Sequence, residues 1–98
     1  MDNNINFKKE LYSIYDKVTC MHIYIFTAYN ENDALRVFHG SCQKGTTLYS
    51  NPLDYQLFHL GHLDEQTGTL YSSDKKVIAN YLIRQDIQQE IQITEESQ

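Results

Sequence analysis

The segment from Asn51 to Leu70, NPLDYQLFHLGHLDEQTGTL, constrains the fold more than any other stretch of the chain. Asp54 to Leu63, DYQLFHLGHL, is an apolar, β-prone run in which Tyr55 and Leu57 fall on one face and Phe58 and Leu60 on the other. Asp64 to Gly68, DEQTG, then supplies the acidic, polar and glycine residues of a tight turn, and Thr69 to Ser72 starts a returning strand. A hairpin this apolar needs further strands beside it and an element to cover one face.

The first third of the chain offers the further strands. Leu11 to Asp16, LYSIYD, and Met21 to Tyr29, MHIYIFTAY, are rich in Tyr and Ile, and Lys17 to Cys20 is short enough for a hairpin turn. Strict alternation in the second run places Met21, Ile23 and Ile25 on one face and His22, Tyr24 and Phe26 on the other. Both faces are then apolar or aromatic, which suits a central strand or one whose outer face meets a partner.

The cover is a helix over residues 31–43. Asn30 or Asn32 is a good N-cap, Glu31 and Asp33 put negative charge where the helix dipole favours it, and Ala34, Leu35, Phe38 and Cys42 form one apolar arc. Gly40 weakens the last turn. Gln43 to Leu53, holding Gly45 and Pro52, reads as a long loop. Lys75 to Ile83, KKVIANYLI, fits a buried strand or a short helix, and Ile83, Ile87 and Ile91 are spaced for a helix.

With 98 residues the chain holds one modest core. We expect a single α+β domain over residues 10–84, a small antiparallel sheet with one helix on a face in the order ββαββ. A C-terminal helix or strand can be added to that set. Residues 1–9 read as a flexible arm and residues 85–98 as an acidic Gln/Glu-rich tail.

Charge is unevenly placed. Residues 1–84 carry eight Lys/Arg against nine Asp/Glu, and residues 85–98 carry four acids and no base. An autonomous duplex binder normally carries a basic patch, because phosphate neutralisation supplies most of its affinity, and that signature is missing. Cys20 and Cys42 lack paired spacing, MDNNINFKKE has no signal-like core, and no run approaches the ~20 apolar residues of a bilayer span. The expectation is a protein of the cytoplasm with reduced thiols and no membrane contact.

No catalytic constellation is legible, and we expect no enzyme, cofactor or metal. Cys20, His22, His59 and His62 invite a metal, but strand parity sends His59 and His62 to opposite faces. Cys42 lies on the apolar arc, where a buried inert thiol is the normal outcome. Asp64 and Glu65 read as turn residues, and the glycines are too scattered for a phosphate loop. A sharper idea is a stacking platform for single-stranded DNA from Tyr12, Tyr24, Phe26 and Tyr29, with phosphates met by Lys44, Lys75 and Lys76. Core packing or a dimer interface explains the same aromatics, and scattered solvated charge explains the same lysines.

YDK at 15–17, NDALRVF at 32–38, NPLDYQLFHLG at 51–61 and DEQTGTL at 64–70 together resemble the small nonstructural protein of gokushovirus-type microviruses, tailless bacteriophages with single-stranded DNA genomes. The resemblance covers residues 12–72 and departs at Ile23 to Phe26, where the family pattern has a proline beside aromatics. It implies a nonenzymatic viral protein of the host cytoplasm, likened to microvirus protein C. Such a protein is an adaptor in viral DNA replication and in packaging single-stranded genomes. Its implied partners are viral replication or procapsid proteins. We expect weak single-stranded DNA contact beside them, and the edges of so small a sheet invite self-association.

Overall fold

A computed structural model describes residues 8–83. Four strands, β1 (Lys8–Asp16), β2 (Met21–Ala28), β3 (Tyr55–Asp64) and β4 (Thr69–Ala79), form one antiparallel sheet in the order β2-β1-β3-β4. Helix α1 (Glu31–Gly40) joins the two hairpins, followed by a short helix α2 (Thr47–Ser50) and a 3-10 turn at Pro52–Asp54. This is the expected α+β architecture in the expected ββαββ order. The tail at 85–98 and the proposed C-terminal element lie outside the described residues.

The sheet is built inside out relative to the sequence. β1 lies between β2 and β3, so the two hairpins meet along β1–β3 and the aromatic run Met21–Ala28 is an edge rather than a central strand. β1 also begins earlier than expected, since Lys8 and Lys9, assigned to the arm, pair with Asp64 and Leu63. The ambiguous segment at Lys75 resolves as strand through Ala79, because Lys76, Val77 and Ala79 find partners in His59, Phe58 and Leu57. Available ladder partners decide for strand there.

Helix α1 begins as the sequence dictates. Asn30 is the cap, its side chain accepting from the Asp33 N–H at 2.9 Å, and Glu31 and Asp33 occupy the first turn. The helix stops at Gly40 instead of residue 43, with the Ser41 N–H bonded to the Val37 and Phe38 carbonyls. Ala34, Phe38 and Cys42 from this region join Tyr12, Ile14, Ala28, Tyr55, Leu57 and Leu82 in the core, and Leu35 packs at its margin. Phe38 is wholly buried and is the main anchor of the helix to the sheet.

The long connection after α1 is ordered by local hydrogen bonds. The Thr46 hydroxyl accepts from the Tyr49 N–H at 3.2 Å, and Pro52 opens the 3-10 turn, where its missing N–H costs nothing. The Leu82 N–H then reaches the Pro52 carbonyl at 3.0 Å, closing the bottom of the core.

Bulges re-aim several side chains. Ile14 pairs with Tyr24 and Tyr15 with His22, so Ile23 is an extra residue in β2. Leu11 pairs with Gly61 and Tyr12 with His59, which makes Leu60 an extra residue in β3. β4 shifts register against β3 between His59 and Gly61. At that crowded point Gly61 comes so close to Tyr71 and Ser72 of β4 that a β-carbon would collide with the Tyr71 carbonyl oxygen.

Candidate functional site

The aromatic platform expected from the sequence exists only in part. Tyr12 is 3% exposed and Tyr24 is 53% exposed, with Phe26 between them. The rings of Tyr12 and Phe26 stack at 6.0 Å and 25°, and those of Phe26 and Tyr24 at 5.5 Å and 21°. Register produces this staircase, since Tyr12 lies opposite Phe26 and Ile14 opposite Tyr24, and opposite residues share a face.

Tyr12 is therefore a correction to the expected contact residues: its ring supports the stack from the core and has no free face for a base. Burial, with Glu10 and Glu31 nearby, pushes its phenol pKa up and keeps it neutral. It also lies 5.2 Å from the His59 ring, whose Nε2 is 2.8 Å from Glu10 Oε1. Tyr24 is the accessible end. It borders an apolar cleft of about 480 Å³ between β2 and α1, lined by Ile14, Ile23, Val37 and Leu48 among others.

The bulge at Ile23 overturns the expected grouping of His22 with Tyr24 and Phe26. His22 lies opposite Tyr15, on the sheet face away from α1. There Tyr15, His22 and Phe58 form a second aromatic cluster, with centroids 4.7 to 5.3 Å apart. Ser13, completely buried beneath it, has its hydroxyl 2.6 Å from His22 Nδ1. Ile25, Leu70 and Val77 leave apolar surface exposed on the same face. Alternation alone could not locate this cluster, because the bulge that creates it interrupts the alternation.

The expected basic partners do not form one patch. Lys44 lines a cavity of about 630 Å³ with Arg36, His39 and Gln43 at the end of α1, while Lys75 borders a different cavity with Leu11, His62 and Tyr71. Lys76 is on β4, the edge opposite Tyr24. Other cations are engaged by acids: Lys9 meets Glu65 at 3.0 Å and lies over the Tyr29 ring, and Arg36 meets Asp33 at 3.3 Å. His39 has a buried Nε2 without a hydrogen-bond partner, and burial lowers its pKa.

The parity argument against a metal fails in its detail. With Leu60 bulged, His59 and His62 lie opposite Tyr12 and Glu10 and so share a face. His59 is engaged with Glu10, however, and His62 stacks on Tyr71 at 4.8 Å. Among the described residues no group of three His, Cys, Asp or Glu side chains is placed to hold a metal. Asp64 acts in the turn, its Oδ1 accepting from Gln66 and Thr67 N–H groups at 2.9 and 3.3 Å. Cys42 is buried and Cys20 exposed, and no disulfide joins them. No helix among the described residues is long and apolar enough to cross a membrane.

Residues 9–83, about three quarters of the chain, match the model of a family described as Phage ORF5 protein. No curated protein and no solved structure matches the chain.

Proposed function

This chain belongs to the Phage ORF5 protein family, and from that premise we propose that it is a nonstructural adaptor in viral single-stranded DNA replication and genome packaging. It works by binding other proteins, with viral replication or procapsid proteins of a gokushovirus-type microvirus as partners, in the host cytoplasm. The observation that carries this reading is the surface: exposed Ile25 and Val77 beside the Tyr15–His22–Phe58 cluster give an apolar sheet face, while Lys44 and Lys75 border different cavities. Apolar surface of this kind marks protein contact, and duplex affinity rests on clustered cations. No enzyme activity and no cofactor are part of the reading.

The test is binding of the purified chain to the purified replication and procapsid proteins of its phage after nuclease treatment. Binding that survives nuclease and is lost in Val77→Lys supports the adaptor. Binding that vanishes with nuclease contradicts it.

The stack of Tyr24 on Phe26 favours a second reading, direct single-stranded DNA binding. One accessible ring with a supported inner face is a stacking site for one base. In that reading Tyr24 and Phe26 carry the contact, with Lys44, Lys75 and Lys76 as separate phosphate contacts.

A further inference from the structure

We propose that two copies of this chain pair antiparallel through their β2 edges, joining two four-stranded sheets into one continuous sheet across a molecular two-fold axis. This inference is independent of the proposed function. It starts from a difference between the sheet's two edges. β4 shifts register twice against β3 and carries Asp74, Lys75 and Lys76, which are devices that keep an edge from pairing. β2, MHIYIFTA, has one bulge, no proline and no Asp, Glu, Lys or Arg, and is exposed along most of its length. Its outer N–H and C=O groups are a template for another strand.

The occupant is a second copy because the surroundings of the strand are self-complementary. Antiparallel pairing of β2 with itself brings the start of one strand beside the end of the other. Lys17, just before β2, then approaches Glu31 of the other copy, just after it, and the symmetry makes that contact twice. Both residues are exposed, and neither has an ion pair among the described residues. The strand itself brings no like charges together.

The same two-fold keeps both α1 helices on one face of the joined sheet. The apolar clefts bordered by Ile23, Tyr24 and Val37 then meet across the seam. Exposed Ile23, Tyr24 and Val37 from each copy fill that shared space, which is an isologous interface closing as a dimer.

The full chain is examined by sedimentation equilibrium at micromolar concentration, with circular dichroism confirming that each variant is folded. The expected result is a species of twice the 11.5 kDa chain mass. Ile25→Lys, on β2, weakens association by at least about tenfold, and Leu70→Lys, on β4, leaves it unchanged. Should Ile25→Lys fail to fold, the charge pair decides: Lys17→Glu weakens the dimer and Lys17→Glu with Glu31→Lys restores it. A monomeric wild type, a dimer indifferent to the β2-side changes, or a dimer broken by Leu70→Lys overturns the proposal.

Discussion

The Ser13 hydroxyl lies 2.6 Å from His22 Nδ1 across the β1–β2 ladder, and the contact exists because Ile23 is bulged out of register between His22 and Tyr24. One extra residue thus assigns His22 to the open face and Tyr24 to the helix face. His22→Ala leaves the fully buried Ser13 hydroxyl without its partner. The expected cost is about 1 to 3 kcal/mol, with Ser13→Ala/His22→Ala less destabilised than the sum of the single changes. Urea unfolding of the four species measures both.

Phe38 is the wholly buried aromatic that fixes α1 on the sheet. Phe38→Ala is expected to cost about 3 to 5 kcal/mol, a large share of the stability of a small domain. Asn32→Ala, at an exposed position of the same helix, is expected to change the unfolding midpoint little, and chemical denaturation compares the two.

Gly61 is required by a close approach, since a β-carbon there collides with the Tyr71 carbonyl oxygen, and backbone cannot rotate aside as a side chain can. Gly61→Ala is expected to force β3 and β4 apart and cost about 1 to 3 kcal/mol. Hydrogen exchange should show the loss concentrated at the β3–β4 ladder. Gly40→Ala, with open space around its position, should be neutral or stabilising.

His39 gives the protein a pH dependence whose sign follows from its burial. Its folded-state pKa lies below the ordinary value of 6.5, so the unfolded chain binds the proton more readily. The contribution of neutral His39 is fully present above the unfolded-state pKa and is lost as pH falls from there through the folded-state value. Stability measured between pH 7.5 and pH 5 should fall less in His39→Gln than in the wild type, and an equal fall contradicts the assignment.

The hairpin at Asn51–Leu70, the cap at Asn30 and the arc of Ala34, Phe38 and Cys42 were legible because each rests on local chemistry: turn residues, a capping side chain, a helical period. Strand order was not, since the β1–β3 pairing joins residues far apart in sequence and turned the most aromatic run into an edge. The bulges at Ile23 and Leu60 were illegible for a different reason. A bulge is settled by what lies across the ladder, and a period-two count through it misplaces every side chain beyond. That error grouped His22 with Tyr24 and separated His59 from His62. Tyr12 was legible as an aromatic in a strand, but its depth depended on α1 lying over β1 and β2. The lysines were legible as charges and misleading as a group, because Lys44 and Lys76 belong to different parts of the fold.

On the proposed function, this phage protein acts through protein contact and not by holding nucleic acid itself. Titration of the full chain against a fluorescent single-stranded oligonucleotide across a salt series, with a duplex control, tests it most directly. No saturable binding of either nucleic acid is expected at micromolar protein, even at low salt. Micromolar single-strand binding that weakens with salt and is lost in Tyr24→Ala would contradict it and move the function to the Tyr24–Phe26 stack.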